Sequence, residues 1–274
     1  MTPLQLVRRG ARRRVDLVPM TPVQQLRAGH LVRRIVQLLV GLGLFGVTMA
    51  LMLRATLGLE PWGVLTYGLT LHIPMSYGQM VIASSFVVLL LWIPLRQWPG
   101  LGTVLNAVVI GLATDATLSV VPPIESIGWR VATMLVGVVG NGIAGALYIG
   151  SQLGPGPRDG LMTGLHRRTG RSIRLVRSCL EVGVVLLGWL LGGVVGVGTL
   201  VYALLIGPVV QAFLPLLTVR VRPPSRPQEG SAASGSRRQD QTAAASAAET
   251  RTNEVPSAVR RPVPGASVED STSW

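Results

Sequence analysis

Six apolar runs divide this chain, and they decide its class before any motif is read. A bilayer core about 30 Å thick needs about 20 apolar residues to cross it as a helix. The runs are Ile35–Leu53, Met80–Leu95, Leu101–Val121, Val131–Ile149, Ser178–Val195 and Gly198–Leu217. The second is short and meets Pro94 near its end. Only 14% of the residues are charged, against roughly 25% in an ordinary soluble domain. The expected fold is an all-α membrane protein of six transmembrane helices. A net charge of +13 would suit a nucleic-acid binder, but uncharged runs of this length exclude one. A single cysteine excludes a disulfide-stapled secreted scaffold. The first run follows a long charged leader and precedes no small-x-small cleavage site, so it reads as a retained span and not a signal peptide.

Arginine placement orients the spans. All 25 basic residues are Arg. Eight precede the first run, Arg96 follows the second, six lie between Arg158 and Arg177, and eight follow Leu217. In a six-span chain all 23 of these fall on one side, and only Arg54 and Arg130 on the other. Positive charge stays cytoplasmic, so both termini are expected inside the plasma membrane. Residues 1–32 form a basic tail, whose role is a topology signal or contact with anionic lipid headgroups. Residues 222–274 are rich in Pro, Ser, Ala, Gly and Arg and are expected to be disordered.

The membrane portion repeats itself. Shifted by 96 residues, 33–121 aligns with 129–217 without a gap, with 26 identities in 89 positions. Gly100-Leu-Gly-Thr103 matches Gly196-Val-Gly-Thr199, Arg34 matches Arg130, and Leu57-Gly-Leu-Glu-Pro61 matches Leu153-Gly-Pro-Gly-Pro157. Each unit holds three spans, an odd number, so the second copy is expected upside down. This is the plan of many secondary transporters. Each unit also carries a weaker segment, 61–73 and 157–168, opened by Gly and Pro. Such segments read as short helices dipping into the membrane with their N-termini inward, or as amphipathic helices at its surface.

The second segment reads Gly154-Pro-Gly-Pro-Arg-Asp-Gly160, followed by Arg177-x-x-x-Glu181 and Gly192-Gly-Val-Val-Gly-Val-Gly198-Thr199; the first copy has Gly58-Leu-Glu-Pro61-Trp62. This pattern resembles the YczE/YitT-type family of bacterial integral membrane proteins over about residues 31–217. The resemblance implies a multi-pass inner-membrane protein and no particular activity. The soluble C-terminal domain of the YitT branch has no counterpart here, which points to the YczE branch.

Polar groups inside a bilayer are costly and therefore site candidates. Asp115 lies in the third run, where it either serves a site or bonds near Thr114 or Thr117; its repeat mate is Gln211. Asn106 and Asn141 are buried amides. Arg158 and Asp159 open the second short helix, where they recognise a charged ligand or cap the helix toward water. Glu60 and Trp62 hold the corresponding place in the first unit. These eight are the candidate substrate-binding residues. Arg177 and Glu181, four apart, read as an ion pair on one helix face. Gly41-x-Gly43-x-x-Gly46 matches a dinucleotide fingerprint in letters only, since it sits within a hydrophobic run. Small residues four apart, as in Gly188-x-x-x-Gly192-x-x-x-Gly196, Gly46/Ala50 and Gly142/Ala146, allow close helix approach. Pro208 is expected to kink the last span.

No HExxH, GxSxG or Walker lysine occurs; His30, His72 and His166 are scattered and Cys179 stands alone. The expectation is therefore no enzyme, no cofactor, no metal and no nucleic-acid partner. The function expected is a small-molecule secondary transporter or permease, with the lipid bilayer, an unidentified small molecule and a second copy of the chain as partners. The rival is a non-transporting assembly or regulatory protein acting through its tails. Deleting 1–29 and 225–274 separates the two.

Overall fold

The computed structural model describes residues 21–219 and residue 221. The basic segment 1–20 and the Pro/Ser-rich stretch 222–274 lie outside the described residues. Among those described, the fold is nine helices and no strand: α1 (Pro22–Arg27), α2 (Leu31–Ala55), α3 (Pro61–Thr70), α4 (Tyr77–Leu90), α5 (Leu101–Val120), α6 (Ile127–Gly150), α7 (Pro157–Thr169), α8 (Ile173–Leu190) and α9 (Val197–Leu217). Four of these, α2, α5, α6 and α9, are long and apolar enough to cross a membrane.

Helix starts follow local chemistry. Pro61 and Pro157 open α3 and α7 at the first helical position, where proline's missing N–H removes no bond. Ser76 and Ser172 cap α4 and α8 through their hydroxyls. The α8 cap sets that helix five residues earlier than the apolar run beginning at Ser178. Its end at Leu190, five residues before the run's end at Val195, is set by Gly192 at φ +87°. Helix α4 also ends earlier than the run to Leu95, at Leu90, and gives way to tight turns through Arg96. Helix α9 runs through Pro208 and Pro215.

The offset of 96 recurs in three dimensions. The starts of α2 and α6, α3 and α7, α4 and α8, and α5 and α9 are each 96 residues apart. The bends after α2 and α6 match as well: Thr56 and Gln152 have φ of 51° and 55°, and Gly58 and Gly154 have φ of 122° and 123°. Positive φ of this size is glycine's territory, which explains the shared Leu-Gly.

Contacts between the units come in exchanged pairs. Arg34 Nε donates to Ser151 O at 2.8 Å, and Arg130 Nε donates to Ala55 O at 2.8 Å. Gly102 N donates to Leu153 O at 2.9 Å, and Gly198 N to Leu57 O at 2.8 Å. Shifting both partners by 96 converts one member of each pair into the other. The Arg bonds join the start of each long helix to the end of the other, so α2 and α6 run antiparallel. Leu38, Leu42, Met49 and Met52 of α2 pack with Met134 and Val138 of α6 as the buried centre. Around this pair, α5 packs on α2 and α9 on α6. Gly46 makes the first approach possible: a Cβ there would lie 2.5 Å from Ile110 O.

Candidate substrate cavity

The two short helices build the site. Glu60 and Gly156 are the N-caps of α3 and α7, and neither helix has a side-chain cap bond. Trp62 and Arg158 hold equivalent positions one residue past the prolines, and they meet. Arg158 Cζ lies 5.0 Å from the Trp62 ring centroid, within cation–π range. Both helix starts line a cavity of about 260 Å³. Its walls come from matching positions of the two units: Phe45 with Asn141, Val81 with Arg177, Ser85 with Glu181, and Asn106 with Tyr202. The chemistry is not matched. Where the first unit offers Val81 and Ser85, the second offers an ion pair, Arg177 Nε to Glu181 Oε1 at 2.8 Å.

Several polar groups in the wall hold one another. The Tyr148 hydroxyl donates to Asp159 Oδ2 at 2.6 Å. The Tyr202 hydroxyl donates to Asn141 Oδ1 at 3.1 Å, and Asn141 Nδ2 donates to Thr48 Oγ1 at 3.0 Å. Glu60 differs. It is 1% exposed, and both carboxylate oxygens lack a hydrogen-bond partner among the described residues. It rests on Gly63, where an added Cβ would lie 2.6 Å from Oε2.

Of the eight candidates read from the sequence, Glu60, Trp62, Asn106, Asn141, Arg158, Asp159 and Gln211 line this cavity. Asp115 does not. It accepts from the Ser76 hydroxyl and, at 2.7 Å, from Gly78 N, and so anchors the start of α4 to α5. Its bonds reach across to α4 and not toward Thr114 or Thr117. The Arg177–Glu181 pair forms on one helix face and also borders the cavity. Sequence reasoning missed Phe45, Tyr148 and Tyr202. Two of them were marked by the repeat register, since Tyr202 is the mate of Asn106 and Phe45 the mate of Asn141.

The cavity is one-sided. Helices α4 and α5 touch: a Cβ on Gly78 would lie 2.1 Å from Gly111 O. Their counterparts α8 and α9 do not pack on one another in this way. Gly207, the mate of Gly111, has nothing within 4 Å of its Cβ position and lines the cavity. The same contrast holds for the short helices. Gly188 of α8 lies against the backbone of α3, 2.4 Å from Leu65 N for an added Cβ. Its mate, Trp92, is a buried wedge on α7: its Nε1 donates to Pro157 O at 3.0 Å, and a Cβ on Gly160 would lie 1.9 Å from its ring. The first pair is drawn close and the second is spaced by an indole. Arg177 and Glu181, at the border of the cavity, have side-chain exposures of 52% and 35%.

Residues 32–215 match DUF6198, a family of unknown function. The chain belongs to this family. The matched stretch begins in α2 and ends in α9, so it takes in every cavity residue. An uncharacterized protein of Haemophilus influenzae is 42% identical over 180 residues, 66% of this chain and 83% of its own length. The uncharacterized membrane protein YczE of Bacillus subtilis is 32% identical over 172 residues, 62% of this chain and 80% of its own. A third relative, the uncharacterized protein YyaS of Bacillus subtilis, is 24% identical over 182 residues, 65% and 90% of the two chains. The YczE-type resemblance read from the Gly/Pro motifs therefore holds across the helical portion. No solved structure matches the chain.

Proposed function

We propose that this chain is a small-molecule secondary transporter or permease of the plasma membrane, made of two inverted three-span units with both termini cytoplasmic. One observation carries the reading: a cavity lined by matching positions of the two units, with close helix packing at α4–α5 and none of that kind at α8–α9. The exchanged Arg34 and Arg130 bonds relate two antiparallel helices. A two-fold relation between antiparallel helices has its axis across them, as inversion in a membrane requires. Trp62 and Arg158, being equivalent and in contact, lie on that axis.

In this reading α3 and α7 enter the bilayer from opposite faces and point their N-termini at the substrate. Helix α4 has 14 residues, about 21 Å at 1.5 Å per residue, and the turns through Arg96 complete its crossing. By the Arg placement, the closed end, at α4–α5 and α3–α8, is extracellular, and the open end, at α8–α9, is cytoplasmic. If the two units exchanged conformations, the open end would close and the closed end open, with the site kept in place. The closing contact cannot copy that of Gly78 on Gly111, because Arg174 stands where the first unit has Gly78; Gly207 leaves α8 room for a different approach.

The test is counterflow. The full chain is reconstituted in liposomes loaded with the metabolite that changes most when the gene is deleted. Saturable counterflow is expected. A rate equal to that of protein-free liposomes overturns the reading.

A further inference from the structure

Glu60 is the one group in the cavity that its surroundings leave unexplained. A buried charged group without a partner costs more than the roughly 1–3 kcal/mol of an unmade neutral bond, and native structures seldom keep one without a reason. Burial works against the charge, while Arg158 and the positive start of α3 favour it. Glu60 caps α3, whose free N–H groups present partial positive charge, although none of them bonds the carboxylate. Arg158 faces the same space without forming an ion pair with it; among the described residues the salt bridge found is Arg177–Glu181. Tyr77, whose hydroxyl is also buried without a partner, and Tyr202 are the other titratable groups nearby.

The charges in the wall do not balance. Arg177 pairs with Glu181, and Arg158 is shared between Glu60 and the adjacent Asp159, whose Oδ2 is held by Tyr148. Three carboxylates against two guanidiniums leave one negative charge over. The rings of Phe45, Tyr148 and Tyr202 line the same cavity, with Trp62 already stacked on Arg158, and aromatic walls attract an organic cation. At about 260 Å³, the space lies just under the range of about 300–1,000 Å³ typical of drug-sized ligands.

We propose that the cavity binds a small organic monocation, with its ammonium group on the Glu60 carboxylate and its apolar part among the aromatic rings. The proposal takes the cavity as a binding site, as the transporter reading does, but it is tested by binding alone. Three probes of one size and different charge are used on the purified full chain: benzylammonium, benzyl alcohol and benzoate. Binding is followed by tryptophan fluorescence and by thermal shift.

Benzylammonium is expected to bind most tightly and benzoate least. Glu60→Gln is expected to weaken benzylammonium by about tenfold or more, and to leave the ligand-free melting temperature unchanged or raised, since it removes an uncompensated charge. Benzoate binding as tightly as benzylammonium overturns the proposal, as does retained affinity in Glu60→Gln. So does a drop of more than about 5 °C in its ligand-free melting point, which would make the carboxylate structural. Failure of all three probes to bind at about 10 mM also overturns it. Binding of benzylammonium by a chain that shows no counterflow would keep this inference and sink the transport reading.

Discussion

Arg34 is fully buried, and its guanidinium ends on three backbone carbonyls: Ser151 O, Gln25 O at 2.5 Å and Gln152 O at 2.6 Å. Five fixed donors in a planar fork suit such a cluster, and a lysine point charge does not. In sequence Arg34 looked like one more cytoplasmic arginine, and its contribution to orientation hid its structural use. Only its match with Arg130 set it apart from exposed Arg33. Arg34→Ala is expected to cost about 3 kcal/mol or more, from charge-assisted bonds lost and carbonyls left unpaired, while Arg33→Ala stays within about 0.5 kcal/mol. Thermal melts of the two variants in detergent check this, and equal melting points would remove the clamp. The same blindness applies to Tyr148 and Tyr202. An aromatic residue on an apolar helix reads alike whether it faces lipid or cavity, and hydropathy carries no direction.

At the scale of elements, the sequence marked where helices begin more clearly than where they face. Pro61, Pro157, Ser76 and Ser172 are local signals, and each one opens a helix or caps its start. The run that suggested a nucleotide fingerprint shows what spacing leaves out. Gly41 lies against α6, with an added Cβ 2.8 Å from Tyr148 N, and Gly46 against α5, while Gly43 has nothing within 4 Å. Three like glycines in one helix thus divide into two contacts and one bystander. Gly46→Ala is expected to cost about 1–3 kcal/mol as overpacking. Gly43→Ala is expected to be neutral or to stabilise by up to about 1 kcal/mol through helix propensity. Paired melts decide it; similar losses at both positions would contradict the packing. Asp115 belongs to this scale too. A carboxylate within an apolar run read as a site candidate, and its use as an anchor for the start of α4 depends on Ser76 and Gly78, 37–39 residues away. Asp115→Asn keeps one acceptor and loses the charge. It is expected to weaken the α4–α5 closure by about 1–2 kcal/mol, seen as faster amide exchange over residues 76–80 with little change at 172–176.

For the whole molecule, the repeat was the most informative sequence feature because it constrains relations that no single helix states. Matching starts, matching bends and exchanged contacts all follow from one offset. The departures from that offset carry the functional reading. Trp92 stands where the second unit has Gly188, Asp115 where it has Gln211, and Val81 and Ser85 where it has Arg177 and Glu181. Each substitution makes one end of the cavity unlike the other, and none is visible until the two units are laid over one another. Inversion has a direct consequence for access from the two sides of the membrane. His72 lies just past the end of α3 and Arg168, its repeat mate, near the end of α7, in segments expected on opposite faces. With Cys179, exposed on α8, replaced by Ser, a cysteine at 168 is expected to react with an impermeant maleimide only in inside-out vesicles. A cysteine at 72, on the exposed turn that follows α3, is expected to react only in right-side-out vesicles. Labelling of both from one face would make the units parallel. Each unit would then cross an even number of times, which scatters the Arg residues over both faces, and the cavity would lose the two-sided access that transport requires.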